Sequence, residues 1–242
     1  MNQVIFRELG LVPYKQAWEL QEELFADIIA IKRHNKHHPE HSRQSFDYLL
    51  FCEHPPVYTL GKSGDLSNLL LDKERLDVLG IEYFKINRGG DITFHGPGQL
   101  VAYPILDLAH FFKDISRYMR TLEEIIIRSL RDFGIEAGRL KSATGVWLDP
   151  EDPFRARKIC AMGVRSSRWV TMHGLALNVN TDLAFFNHII PCGIADKSVT
   201  SMEKELGTPP DMEAVKKSFK KHFEEAFLCQ LQEEKTEDEK RH

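Results

Sequence analysis

Residues 88–99 read Arg-Gly-Gly-Asp-Ile-Thr-Phe-His-Gly-Pro-Gly-Gln, and they constrain the fold of this chain more than any other stretch. Four glycines and a proline lie between two apolar, strand-like runs. Proline cannot donate to a sheet ladder and glycine favours turns, so neither a regular helix nor a central strand runs through all twelve positions. The pattern fits a short strand, Asp91 to His95, held between glycine turns, with Arg88 and His95 at its two ends. Glycine turns of this kind let a backbone come close to a bound group. A plain hairpin with two surface side chains fits the same spacing, and spacing alone leaves both readings open.

The rest of the chain is consistent with one globular unit. Its 242 residues are 42% hydrophobic and 28% charged, which is ordinary composition for a folded domain with a buried core. No apolar run has membrane-spanning length, and Met1-Asn-Gln-Val-Ile-Phe-Arg lacks the build of a signal peptide, so the expectation is a cytoplasmic protein without membrane contact. Cys52, Cys160, Cys192 and Cys229 have no paired short spacing, which suggests neither a disulfide framework nor a zinc site. A net charge of −4 argues against nucleic-acid binding.

Periodicity places the elements. A helix is expected over residues 14–32 behind Pro13, with Trp18, Leu20, Leu24, Phe25, Ile28 and Ile31 recurring near the helical period. His34 to Arg43 breaks that pattern. Strands are expected at Phe46–Cys52, Ile81–Ile86, Asp91–His95, Leu100–Leu106, Lys158–Arg165 and Val170–Val179. A long helix is expected from Asp114 to Phe133, closed by Gly134, with short helices starting at Asp182 and Ser198. A last helix from Asp211 to about Leu228 would bury Val215, Phe219, Phe223 and Phe227. Together this is a single α+β domain over residues 1–231, with 232–242 as a charged, frayed tail.

Several residues are candidates for chemistry. Cys192 stands in Ile190-Pro-Cys-Gly-Ile194, on a turn shaped by proline and glycine, and is either a small buried hydrophobe or a nucleophile. A thiol needs help to ionise at neutral pH, because its free pKa is about 8.5. His95 and His173 keep open a Cys–His pair, with His173 the better alternative base. Cys160 is a decoy: two residues from Lys158, it is expected on the same strand face, as a buried residue. Gly61-Lys-Ser63 is no phosphate loop, because Pro56 stands where its first glycine belongs. His34, His37, His38 and His41 read as a solvated insertion, not a metal site.

The motifs also resemble a known family. Glu53-His-Pro-Pro-Val-Tyr-Thr59, Arg88-Gly-Gly, Thr93-Phe-His-Gly-Pro-Gly-Gln99, Gly145-Val-Trp147, Arg157-Lys-Ile-Cys-Ala-Met-Gly163, His173-Gly-Leu-Ala-Leu-Asn178 and Pro191-Cys-Gly193 are similar, in this order, to the signature of the octanoyltransferases of lipoic acid synthesis. The resemblance implies the biotin/lipoate protein ligase catalytic fold, a mixed sheet flanked by helices. It also implies that Cys192 carries the acyl group, that Lys158 activates it, and that no cofactor or metal is required. Arg88, Gly89, Gly90, Asp91, Ile92, Thr93, Phe94 and His95 would form one wall of the acyl pocket. Ala161, Met162, Gly163, His173, Gly174, Leu175 and Ala176 would form another, with backbone amides near the carbonyl oxygen. The implied donor is octanoyl-acyl carrier protein. The implied acceptors are lipoyl domains of 2-oxoacid dehydrogenase E2 subunits and the glycine cleavage H protein.

Charge supplies one more expectation. From Arg139 to Arg168 there are seven basic residues (Arg139, Lys141, Arg155, Arg157, Lys158, Arg165, Arg168) against three acidic ones, in a chain that is acidic overall. Arg155, Arg157, Arg165 or Arg168 is expected to line a dock for an acidic carrier protein.

Overall fold

The chain opens on β1 (Asn2–Leu11), which buries Val4 and Phe6 by strand alternation. Pro13 then sets the entry of α1 (Tyr14–His37) with φ −52°, and the helix buries Tyr14, Ala17, Gln21, Leu24, Phe25 and Ile28 along one face. It runs past the expected end because His34, Lys36 and His37 fill its last turn, where basic side chains suit the helix dipole. Next come β2 (Asp47–Glu53), β3 (Val57–Leu60), α2 (Lys73–Leu79), β4 (Glu82–Lys85), β5 (Ile92–His95) and β6 (Gln99–Ile105). The long helix α3 (Ile115–Arg131) is capped by Asp114, whose carboxylate accepts from Arg117 N, and Gly134 follows at φ +76°. Then come β7 (Gly138–Leu140), β8 (Ala143–Leu148), β9 (Arg157–Ser167), β10 (Val170–Asn178), β11 (Ser198–Val199), α4 (Met202–Leu206), α5 (Met212–Phe227) and β12 (Cys229–Glu233). This computed structural model describes residues 1–141, 143–190 and 198–234.

The strands form a nine-stranded mixed sheet in the order β12-β1-β2-β6-β10-β9-β8-β7, with β11 paired to β9, and a three-stranded sheet in the order β4-β3-β5. On one face of the large sheet, α3 and α5 pack Tyr118, Leu122, Ile126, Leu130, Phe219 and Phe223 against Leu100, Ala102, Leu175 and Leu177. On the other, α1 packs Leu24, Phe25 and Ile28 against Val101, Tyr103, Met172 and Ala176. The small sheet has its own core around Tyr58, Leu60, Ile92 and Phe94, under Phe186 and Ile189. The stripe Val215, Phe219, Phe223 and Phe227 is buried as expected. At roughly 1.5–3 kcal/mol per buried large apolar side chain, that stripe holds α5 in place.

Three expectations change. Ser198 starts no helix: with Val199 it pairs in parallel with Arg157 and Lys158, and the helix begins at Met202, where the Ser201 hydroxyl caps Lys204 N. Gln232 and Glu233, expected in the frayed tail, are strand residues: Gln232 pairs with Ile5 and Glu233 with Phe6. Cys160 does not share a face with Lys158. Trp147 pairs with Lys158 and its neighbour Val146 with Cys160, so Ile159 is an extra residue, a β-bulge that reverses the alternation. Ile159 and Cys160 both enter the core under α3 and α5, while Lys158 points the other way.

Candidate active site

Between β9, β10 and the small sheet lies a cavity of about 470 Å³, a size suited to a small-molecule tail. The glycine stretch supplies one wall, from Arg88 to Thr93 and at His95. Ala161, Met162 and Gly163 on β9, with His173 to Ala176 on β10, supply the other, and Lys158 lies at its edge. Phe94 is not on the wall: its ring turns into the small-sheet core and stacks on Phe185 with centroids 4.6 Å apart. Its neighbours Thr93 and His95 take the cavity side, as strand alternation requires.

Arg88, 9% exposed, lies across the seam between the two sheets. Its guanidinium donates to Thr59 O at 2.8 Å, Thr59 Oγ1 at 3.1 Å and Gly89 O at 2.9 Å, and Gly89 N donates to Val164 O at 2.9 Å. Gly163 makes this possible, because a Cβ there would sit 2.6 Å from Gly89 O. Asp91 is equally occupied, its carboxylate accepting from Ile92 N and Asn68 Nδ2.

Two histidines face the cavity in different settings. His95 is held at Nδ1 by Gln99 Oε1, 2.8 Å away, and stacks on Tyr14. Burial, reinforced by His54 nearby, lowers its pKa to about 3. His173 adopts φ +60° inside a strand, an unusual conformation for a side chain with a Cβ. Its N–H donates to Gln21 Oε1 on α1 at 2.9 Å, and neither ring nitrogen has a hydrogen-bond partner among the described residues. Burial lowers its pKa to about 3, so both rings are neutral at physiological pH.

Lys158 Nζ lies 4.7 Å from the centre of the Trp147 ring, which suits an ammonium. Glu123, buried on α3, accepts from Gly145 N and from Arg120 and Arg139, fixing the strand that carries Trp147. Cys192, with Pro191 and Gly193, lies outside the described residues. Of the described cysteines, Cys52, Cys160 and Cys229 are buried, and burial raises each thiol pKa, that of Cys229 to about 12. None of the three is a thiolate at neutral pH.

Tyr14, Gln99, Tyr103, Met119, Asn178 and Phe186 also line the cavity and were not expected there. Gln99 and Asn178 are the last residues of two quoted motifs, so that signal was present; Tyr14 and Met119 reach the cavity only through packing of their helices. Among the described residues, no group of His, Cys, Asp or Glu is arranged to hold a metal ion, and no helix is long and apolar enough to cross a membrane.

The mixed sheet, the seam cavity and its two glycine-rich walls define a class. The lipoyl protein ligase A/B catalytic domain matches residues 13–224, and the chain belongs to that family. Within it, relatives that match almost end to end include octanoyltransferases. The Flavobacterium johnsoniae octanoyltransferase is 56% identical over 96% of this chain and 100% of its own length, and that of Cytophaga hutchinsonii 53% identical over 95% and 94%. Among solved structures, the bi-partite lipoate protein ligase of Thermoplasma acidophilum shares the fold with a TM-score of 0.70 at 18% identity, covering 100% of this chain and 90% of that one. A lipoate-protein ligase A bound with ATP matches with a TM-score of 0.68, also at 18% identity, covering 100% and 92%.

Proposed function

We propose that this chain transfers an octanoyl group from octanoyl-acyl carrier protein to a lysine of lipoyl domains, through a thioester on Cys192. What carries the reading is that its end-to-end relatives are octanoyltransferases, while Lys158 borders an apolar cavity and the other three cysteines are buried with raised thiol pKa values. The Cys192 thiolate attacks the donor thioester carbonyl. The bond to the carrier sulfur breaks, and that sulfur leaves with a proton. The lysine ε-amine of the acceptor then attacks the enzyme thioester, forms an amide, loses a proton and releases the Cys192 thiolate.

Lys158 favours the thiolate by its charge and shuttles the proton. Arg88 to Thr93 and His95 form one wall of the acyl site, and Ala161 to Gly163 with Gly174 to Ala176 form the other, backbone amides there meeting the carbonyl oxygen as charge develops. Acceptors are the lipoyl domains of 2-oxoacid dehydrogenase E2 subunits and the glycine cleavage H protein, and the reaction belongs to the cytoplasm. Thioester exchange is nearly balanced and amide formation runs downhill, so no ATP or metal is needed.

The fold shared with lipoate ligases favours one rival, an ATP-dependent ligase that forms an acyl-adenylate. Intact-protein mass after incubation with octanoyl-acyl carrier protein separates the two. An octanoyl adduct formed without ATP is expected; no adduct without ATP, together with ATP-dependent transfer of free octanoate, would establish the rival.

A further inference from the structure

A buried chain of hydrogen bonds joins His95 to the strand that carries Lys158, and its direction is fixed at both amides. Asn178 Nδ2 donates to Thr200 O at 3.0 Å, and a backbone carbonyl only accepts, so Asn178 presents Oδ1 to Gln99. Gln99 Nε2 donates to that oxygen at 2.9 Å and to Phe94 O at 3.2 Å, which fixes the Gln99 amide in turn. Gln99 Oε1 is left facing His95 Nδ1 at 2.8 Å, so Nδ1 carries the proton and Nε2 does not. At the far end, Thr200 N donates to Lys158 O at 2.9 Å. Gln99, Asn178 and Thr200 are all at least 95% buried, so water does not compete.

We infer that Gln99 and Asn178 are positioning residues that hold His95 in the Nδ1–H tautomer, so that the unprotonated Nε2 meets the incoming amine of the acceptor. Thr59 Oγ1 accepts from Arg88 Nη2 and can turn its own proton to Nε2, a long 3.4 Å hydrogen bond that a ligand N–H would displace. A cavity wall that presents a lone pair favours a ligand N–H and disfavours a carbonyl oxygen. The acyl chain has no N–H, whereas the attacking ε-amine does. This rests on the transfer reaction proposed above. Tyr14 from α1 stacks on the ring, and burial together with His54 beyond β2, Arg88 before β5 and His173 on β10 keeps it neutral, an acceptor and not a base.

The test uses ¹⁵N-histidine-labelled full-length protein and its octanoyl adduct. Long-range ¹H–¹⁵N correlation is expected to show His95 protonated at Nδ1 alone, and Gln99→Met is expected to mix the tautomers. In single turnover, Gln99→Met should slow transfer from preformed acyl-enzyme to a lipoyl domain about tenfold, near the net worth of one hydrogen bond, and slow acylation by clearly less. If Gln99→Met does not fold, Gln99→Glu keeps an acceptor for Nδ1–H. It should retain the tautomer and move the His95 titration upward, because a carboxylate favours the charged ring. A wild-type His95 protonated at Nε2, an unmoved titration in Gln99→Glu, or equal slowing of both half-reactions would overturn the inference. If wild type forms no acyl-enzyme, the reaction reading fails and takes the amine role with it, while the spectrum alone judges the tautomer.

Discussion

Lys158 and His173 stand far apart along the β9–β10 pairing: His173 is in register with Val164, six residues beyond Lys158 on the same strand. At a strand rise of about 3.3 Å per residue, less the residue taken up by the bulge, the backbones are separated by more than a lysine side chain spans. The two side chains therefore do not touch each other, and Lys158 is the base expected to serve the reactive thiol. The expected result is that His173→Ala leaves the pKa of the reactive thiol unchanged, whereas Lys158→Met raises it. Thiol alkylation rates against pH measure both, and a raised thiol pKa in His173→Ala would restore the Cys–His pair.

Lys158→Arg separates charge from proton transfer. The guanidinium keeps the positive charge but hardly releases a proton near neutral pH. The thiol should stay ionised while transfer falls by about 10²-fold or more, in the range of general acid–base contributions. Near-normal turnover in that variant would reduce Lys158 to an electrostatic role.

Cys192→Ala should abolish the octanoyl adduct, and Cys160→Ala should still form one. Intact mass after incubation with the donor decides this. An adduct surviving in the Cys192 variant would end the thioester mechanism.

The docking arginines divide by their partners. Arg157 is engaged by Glu205 and Asp149, and Arg165 by Glu22 and the face of Phe25. Arg155 and Arg168 are exposed, Arg155 with a 3.4 Å contact to Asp149. Reversing Arg155 and Arg168 to Glu should slow acylation from the carrier protein and flatten its salt dependence, while a small uncharged octanoyl thioester reacts as before. Reversing Arg157 should instead lower stability and slow both donors alike. Equal losses with both donors in the Arg155/Arg168 variant would assign those arginines to the fold.

Acid should unfold this protein through its buried histidines. Burial lowers the pKa of His54 to about 4 and those of His95 and His173 to about 3. Each takes up a proton near pH 6.5 when unfolded, so from about 6.5 down to 3–4 the unfolded chain binds more protons than the folded one. Their contribution is present above 6.5 and lost as pH falls, by up to about 1.4 kcal/mol per unit for each. His110, raised chiefly by its hydrogen bond to Asp47, works in the opposite sense and offsets part of this. Urea midpoints should fall steeply between pH 6 and 4; flat midpoints would contradict it.

Periodicity located α3 and α5 because each buries a continuous stripe, and an amphipathic stripe is a local signal. It missed α2 and the strands β1, β3, β7, β8, β11 and β12. Val57 to Leu60 is buried at every position and only four residues long, and of Cys229 to Glu233 only Cys229 is buried, so neither shows alternation. The glycine wall was legible because close backbone approach demands residue types that stand out. Tyr14 and Met119 were not, since only the packing of their helices brings them to the cavity. Cys160 was misjudged because which side a strand residue faces depends on register and bulges, which spacing does not record, whereas Phe94, between Thr93 and His95, is turned to the other face by simple alternation.

The extra residue at Ile159 has a chemical consequence. The strand carries a thiol two positions from an ammonium, a spacing that in regular alternation would offer an acylating substrate two competing sulfurs. By turning Cys160 into hydrocarbon, where its thiol stays protonated, the bulge insulates the lysine from the wrong sulfur. Adding one residue to β8 opposite Ile159 would restore regular alternation and place a rival thiol beside the ammonium, so selectivity between two sulfurs in this protein is set by backbone spacing.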